Sequence, residues 1–197
     1  METIKIGIQW WKGSFNEIAI RDFLIKYPEK FWKDTEVIIV YLYTTEWVLI
    51  ALDDHRIDFW VFAISNSIGW LVDETMDFLG RYRWKLVATH EIKIEHALMI
   101  HPESELSEIH TIMGHDQALK QCEKNLEKYF PEKEKIPGKA ELTDNAAIAA
   151  AVANEKLDRS IGSIGHRSLA EIYGLKIAKE NLQDRDDNRT TFCIVWR

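Results

Sequence analysis

The sequence predicts an α/β protein of two lobes, with a ligand cleft between them. Before Gly80, three apolar runs of strand length alternate with segments of helical periodicity, a pattern typical of a mostly parallel sheet covered by helices. Residues 84–100 then form a long extended stretch, and a second strand–helix alternation follows it. We therefore expect a first lobe of residues 1–82 with 183–197, and a second lobe of residues 83–182.

Strands and helices alternate along the first lobe. Strands are expected at 5–9, 36–43, 59–64 and 190–196, and helices at 14–27, 44–52 and 68–79. Ser14 and Glu17, three residues apart, predict a capping box at the start of the first helix. The run 59–64 is short, aromatic and β-branched, which indicates a buried strand.

A polar loop at 65–67 follows that strand and leads directly into the third predicted helix. Unpaired amides and the positive end of the helix dipole would make this corner suitable for an anion. Asn66 and Ser67 either contribute to that binding or only cap the helix. The spacing alone leaves both interpretations open.

The second lobe repeats the alternation. Strands are expected at 111–114, 160–164 and 176–182, with a short one within 132–139, and helices at 116–130, 146–153 and 168–173. Asp144 is expected to cap the Ala-rich helix, and Gly174 to end the last one. The buried face of the first helix is predicted to consist of Leu119, Cys122, Leu126, Tyr129 and Phe130.

Composition excludes several classes of protein. A net charge of -7 argues against nucleic acid as the main partner. Two isolated cysteines, Cys122 and Cys193, are too few for a disulfide framework or a zinc site, so a cytoplasmic location is the default. No signal peptide or membrane span is expected from the sequence.

The helix N-termini of both lobes are expected to face the cleft, at the carboxyl ends of strands. The polar residues placed there are Ser14, Asn66, Ser67, His115, Asp116, Asp144, Asn145, His166 and Arg167. They predict a small polar or anionic ligand, and physical reasoning from the sequence goes no further.

Five segments, in their order and spacing, resemble the catalytic domain of prephenate dehydratase over nearly the whole chain. They are residues 12–19, 64–68 with 72–75, 115–122, 170–175 and 188–192. The resemblance implies a fold like the type 2 periplasmic binding proteins, a prephenate-like substrate, and no metal or organic cofactor. The family usually carries a C-terminal ACT domain. Because the chain ends at Arg197, no ACT domain and no phenylalanine control through one are expected. A homodimer is among the assemblies that the sequence allows.

Three residues match functional positions of that family. By the resemblance, Asn66 binds substrate, Gln121 is an active-site residue, and Thr190 assists departure of the ring hydroxyl. At other positions this chain differs from the family pattern. The residues of this chain, each followed by the family residue that it replaces, are Trp10 with Trp11 (Gly-Pro), Ser65 (Glu), Gly114 (Ser), Asn145 (Thr), His166 with Arg167 (Ser-Glu) and Thr191 (Arg). An arginine binds a carboxylate through two charge-assisted hydrogen bonds, which Thr191 cannot do, and Arg189 is the nearest substitute.

Three functions are compatible with this pattern. The first is a prephenate decarboxylase of the kind found in bacilysin-type and aeruginosin-type antibiotic biosynthesis, whose members lack the ACT domain and have an altered Thr-Arg-Phe signature. That enzyme releases CO2 but keeps the hydroxyl, giving a dihydro-4-hydroxyphenylpyruvate. The alternatives are prephenate dehydratase, which forms phenylpyruvate, and a small-anion-binding protein without catalysis.

A decarboxylase needs a proton donor for a ring carbon, and His166 is the departure that titrates near neutrality. His166 is also compatible with a solvated position at a helix start. Trp10 and Trp11 either exclude water from the ligand or pack in the core. His115 belongs to the dehydratase pattern, and His96 is interpreted as a structural histidine in a strand.

Overall fold

The computed structural model describes residues 2–27, 35–68, 70–71 and 85–196. The strands are β1 (Glu2–Ile8), β2 (Thr35–Tyr41), β3 (Phe59–Asn66), β4 (Trp70–Leu71), β5 (Lys85–Lys93), β6 (Ala97–Ile100), β7 (Thr111–Gly114), β8 (Glu134–Pro137), β9 (Ile161–Gly165), β10 (Lys176–Lys179) and β11 (Arg189–Trp196). The helices are α1 (Phe15–Lys26), α2 (Thr45–Asp53), α3 (Asp116–Gln121), α4 (Glu123–Tyr129), α5 (Asn145–Ala153) and α6 (Ser168–Tyr173). In this part of the chain, no helix is long and apolar enough for a membrane crossing.

The chain divides into two units, Met1–Lys93 with Arg189–Arg197, and Ile94–Asn188. The crossovers therefore lie at 93/94 and 188/189, beyond the expected 82/83 and 182/183. The reason is that β5 and β11 both pair along their length within the first sheet. Each unit contains its own sheet with helices, so the predicted α/β class is confirmed.

The sheet of the first unit has the order β2-β1-β3-β11-β5, with β4 attached to β3. β1 runs parallel to β2 and β3, whereas β11 runs antiparallel to β3 and β5. The apolar face of α2 packs on this sheet, where Trp60 is 0% and Phe62 1% exposed. The run of apolar residues in β3 thus forms the buried strand that its composition predicted.

The sheet of the second unit has the order β10-β6-β9-β7-β8. β7 is parallel to β8 and β9, and β6 is antiparallel to β9 and β10. Helix α5 is buried from Asn145 to Val152, because alanine side chains allow a helix to lie in the core on all sides. Asp144 caps it, with Oδ2 accepting the Ala146 N–H at 3.2 Å.

The prediction that a helix starts directly after the 65–67 loop is wrong. Instead, the chain reverses, and Trp70–Leu71 pairs antiparallel with the end of β3. Asn66 Oδ1 accepts the Ile68 N–H at 2.9 Å, an Asx turn at the point where the chain reverses. The rest of the expected helix, 72–79, lies outside the described residues.

Three other local predictions are wrong. Ser14 occupies the N-cap position of α1 without a side-chain capping bond, and Glu17 Oε2 accepts the N–H of Gly13 rather than that of Ser14, so the predicted capping box does not form. The helix expected at 116–130 breaks at Cys122, because the Asp184 carboxylate accepts the amides of Lys124 and Asn125 and begins a new helix there. Tyr129, predicted to be buried, is 41% exposed.

Two glycines of the second unit give contrasting stability predictions. A Cβ at Gly138 would lie 1.9 Å from the backbone oxygen of Leu142, so Gly138→Ala requires a backbone shift and should cost about 2–4 kcal/mol. Gly174 ends α6 at φ 71 with open space around a Cβ. Gly174→Ala should therefore cost only the backbone term, about 1–2 kcal/mol. Hydrogen-exchange mass spectrometry of peptides within 94–188 measures both; a larger effect at Gly174 would contradict the steric argument.

Candidate functional site

Asn66 and Thr190, two predicted site residues of the first unit, meet across the β3–β11 pair. Asn66 Nδ2 donates to Thr190 Oγ1 at 2.8 Å, and Thr190 is 8% exposed. Within the described part of the chain, no residue accepts the hydroxyl hydrogen of Thr190. Thr190 is thus held as an acceptor for Asn66, and its own hydrogen is available for a ligand.

Ser67 and Arg189 extend this strand pair by exchanging hydrogen bonds. The Ser67 N–H donates to Arg189 O at 2.8 Å, and the Arg189 N–H donates to Ser67 Oγ at 2.9 Å. The sequence predicts that Asn66 and Ser67 lie at a helix N-terminus. In the structure they lie instead where β3 ends and the chain turns back to pair as β4. The pairing register shifts between Thr191 and Phe192, and such irregularities often re-aim side chains near functional sites.

The arginine expected to replace the missing signature arginine is already paired. Arg189 Nε lies 3.6 Å from Glu91 Oε1, with both side chains about half exposed. Thr191, the half-buried residue two positions along the same strand, pairs with Ser65 and Glu91 in the sheet. A guanidinium from Arg189 would have to leave Glu91 to bind a ligand carboxylate.

The loop that contains Trp10 and Trp11 is held by backbone bonds and an aromatic contact. Trp10 adopts φ 76, and the Trp11 ring centroid lies 5.1 Å from that of Tyr43. Both tryptophans are partly exposed, so neither belongs to the fully buried core. Trp11 O accepts the Ser14 N–H at 3.0 Å. Ser14 itself is 5% exposed, and its hydroxyl has no partner among the described residues.

Several predicted site residues of the second unit lie at one edge of its sheet. His115 follows β7 and His166 follows the parallel neighbour β9, while Asn145 starts α5. The His115 N–H donates to Asn145 Oδ1 at 2.7 Å, and burial lowers the pKa of His115. A Cβ at Gly114 would lie 3.4 Å from that same Asn145 oxygen. This is an ordinary contact distance, so Asn145 does not require a glycine at 114.

His166 and Arg167 have different surroundings although they are neighbours. His166 Nδ1 accepts the Ser168 N–H at 3.2 Å and lies 2.8 Å from Ser168 Oγ. Because Nδ1 accepts, a neutral ring carries its hydrogen on Nε2. Arg167 is 64% exposed and lies 3.3 Å from Glu180. It is thus paired at the surface of the second unit.

Gln121 makes a contact that sequence reasoning missed. Its Oε1 lies 3.0 Å from Nε2 of His96, which is 2% exposed. Burial lowers the pKa of His96 to about 4. His96 lies in the connection before β6 rather than within a strand, and no local spacing reports a contact between residues 25 positions apart. Among the described residues, no group of three histidine, cysteine or acidic side chains is arranged to hold a metal.

Comparison with known proteins decides the family. The profile of the prephenate dehydratase family matches residues 6–197. The chain belongs to the prephenate dehydratase family. The assignment made from the five segments is therefore confirmed at the level of the family.

Two curated relatives of this prephenate dehydratase family member are named as dehydratases. Arogenate dehydratase 2 of Petunia hybrida is 27% identical over 194 residues, covering 98% of this chain and 45% of the relative. Prephenate dehydratase of Methanocaldococcus jannaschii is 28% identical over 187 residues, covering 94% of this chain and 62% of the relative. The chain thus spans about half to two thirds of the length of these relatives.

A solved structure of the family has the same fold. Prephenate dehydratase from Arthrobacter aurescens, in complex with L-Phe, has a TM-score of 0.80 at 23% identity. The match covers 98% of this chain and 60% of that one. At this level of identity, the likeness concerns the fold alone.

Proposed function

We propose that this protein is a dehydratase that converts prephenate to phenylpyruvate, CO2 and water. The observation that carries the proposal is the Asn66–Thr190 contact. An amide N–H donated to Thr190 Oγ1 withdraws electron density from the hydroxyl and makes its hydrogen a better donor. Dehydration of prephenate requires such a donor, because the ring hydroxyl is a poor leaving group until it is hydrogen-bonded or protonated.

The chemistry is a coupled loss of two groups. The electron pair of the ring carboxylate C–C bond moves through the diene as CO2 departs, and the ring C–O bond breaks. The hydroxyl leaves as water after taking up one proton from solvent, so that atoms and charge balance. In our proposal, Thr190 donates a hydrogen bond to the departing oxygen. Gln121, which the resemblance gives as an active-site residue, is proposed to contact the substrate as well.

A decarboxylase is the second candidate, favoured by two observations. Thr191 has no guanidinium, and the nearest replacement, Arg189, is paired with Glu91. In addition, the Ser168 N–H occupies His166 Nδ1, which leaves the hydrogen of a neutral ring on Nε2. In this alternative, the electron pair left by CO2 takes a proton at a ring carbon, and the hydroxyl stays in place.

The decisive experiment is product analysis with the purified protein. We expect prephenate to yield phenylpyruvate, followed by ultraviolet absorbance and NMR, above the spontaneous acid-catalysed background. Arogenate is assayed in parallel, because one relative is named for it. The control is His166→Gln, which should leave the dehydratase rate within about threefold, but should lower decarboxylase turnover by about 10²–10⁴-fold.

A non-aromatic dihydro product would replace the dehydratase proposal by the decarboxylase. If neither substrate is turned over but prephenate raises the melting temperature, the protein binds small anions without catalysis.

A further inference from the structure

Gln121 and the buried His96 form a hydrogen-bonded pair in the second unit, and the geometry of this pair restricts both side chains. A carboxamide oxygen only accepts hydrogen bonds, so the 3.0 Å contact requires the hydrogen of His96 on Nε2. Burial keeps the ring neutral near pH 7, since the pKa of His96 falls to about 4. With Oε1 engaged by His96, the amide nitrogen of Gln121 must point the other way.

The backbone around the pair is fixed by one short segment, residues 182–184. The Leu182 N–H donates to His96 O at 2.9 Å, and the His96 N–H donates to Gln183 Oε1 at 3.0 Å. The Asp184 N–H donates to Gln121 O at 2.8 Å. His96 and Gln121, far apart in sequence, are thereby held by the same three residues. The segment therefore anchors the backbone from which each of the two side chains extends.

The other polar end of the Gln121 carboxamide is its amide nitrogen. Among the described residues, none accepts a hydrogen bond from its amide nitrogen. That nitrogen carries two hydrogens, both suitable for a carboxylate oxygen. If the amide were flipped, the oxygen would point outward and repel an anion. The histidine therefore determines whether this position attracts or repels a carboxylate.

We propose that His96 is a positioning residue, which orients the Gln121 carboxamide so that its NH2 group donates to a carboxylate of the substrate. This inference rests on the proposed function, because it takes the substrate to be a dianion of the prephenate type. His96 itself contacts no substrate in this account. Its effect passes entirely through Gln121.

A double-mutant cycle on the full chain separates positioning from general stabilisation. His96→Leu should lower kcat/KM for prephenate about 10- to 100-fold, the loss of one hydrogen bond to a charged group. His96→Gln, which can place an N–H near the former Nε2, should stay within about threefold. In a Gln121→Met background, His96→Leu should cause no further loss. Equal losses in both backgrounds would overturn the proposal.

A matched control uses the buried histidine at the other end of β6. His101 follows β6 at its other end and is 6% exposed, with Nδ1 accepting the Glu103 N–H. His101→Leu should lower stability without changing kcat/KM for the folded fraction. If it changes kcat/KM as much as His96→Leu does, the effect of His96 is not specific to Gln121.

NMR of the wild-type protein tests the geometry independently of any activity. Long-range ¹⁵N–¹H spectra should find the ring hydrogen of His96 on Nε2 across the neutral pH range. A ring hydrogen on Nδ1 would overturn the proposal. Because this test uses the wild-type protein, it holds even if His96→Leu fails to fold. A protein that neither turns over nor binds prephenate would overturn the proposed function as well. Turnover with an additive cycle would overturn the role of His96 alone.

Discussion

Thr190→Val should reduce the turnover of prephenate by about 10²–10⁴-fold, the usual contribution of a positioned proton or hydrogen-bond donor. Valine has nearly the shape of threonine but no hydroxyl, so the departing oxygen loses its donor. The loss should appear in kcat more than in KM, because the interaction strengthens as the C–O bond breaks. Steady-state kinetics with phenylpyruvate detection measures it.

Thr190→Ser is the matched control. It retains the hydroxyl that accepts the Asn66 amide at 2.8 Å and should keep most of the activity. Thr190→Val also leaves the Asn66 N–H without this acceptor, at a cost of about 1–3 kcal/mol in stability. Equal kcat values for the valine variant and the wild type would exclude Thr190 as the donor.

Glu17→Ala should destabilise the first unit by about 3–5 kcal/mol. The Glu17 side chain is 1% exposed and accepts hydrogen bonds from the Gly13 N–H, the Tyr41 hydroxyl and the Arg21 guanidinium. Alanine leaves the buried Gly13 N–H without this acceptor and removes one acceptor of the partly buried Tyr41 hydroxyl. Because Gly13 adopts φ 86 in the loop before α1, this loop should loosen first. Hydrogen exchange of peptides from 9–26 and urea unfolding measure both effects.

The Glu17 carboxylate also makes the stability of the protein depend on pH, and the direction of this dependence follows from its pKa. Burial by itself raises the pKa of Glu17, but the hydrogen bonds from Gly13, Arg21 and Tyr41 outweigh it, and the pKa lies below the ordinary 4.5. The folded state therefore binds the proton more weakly than the unfolded state. The stability difference between wild type and Glu17→Ala should be complete above pH 4.5 and shrink as the pH falls through the folded-state pKa.

Tyr41→Phe supplies the comparison for Glu17. It removes one donor at 2.8 Å and keeps the charge, so it should cost about 1 kcal/mol and retain the pH dependence. A difference between wild type and Glu17→Ala that does not change between pH 7 and pH 3 would show that the charge of Glu17 contributes nothing.

The parts of the fold that depend on periodicity were predictable from sequence. The apolar run of β3, the Ala-rich α5 with its Asp144 cap, and the Gly174 terminus of α6 all follow from local composition. In each case, the residues that decide the structure lie within one turn or one strand of each other. The family was predictable as well, because five ordered segments jointly specify it.

The failures share a physical cause, which is competition from distant partners. The break at Cys122 depends on Asp184, about 60 residues away, and a continuous helical pattern crosses it. The role of Asn66 changes because Thr190, 124 residues later, accepts its amide. Likewise, the sequence marks Gln121 but gives no sign that His96 fixes its orientation. Local sequence patterns indicate where helices and strands form, whereas these contacts depend on which helices and strands become neighbours in the fold.

The location of β11 between β3 and β5 affects how the protein forms during translation. The ribosome delivers the chain from its N-terminus, so residues 94–188 emerge as one continuous unit before 189–196 are made. Until then, the side of β3 that pairs with β11, which includes Trp60–Val61–Phe62, has no neighbouring strand. An unpaired apolar edge invites association with other nascent chains. We therefore expect the second unit to fold first, and the first unit to depend on chaperones until β11 joins β3 to β5.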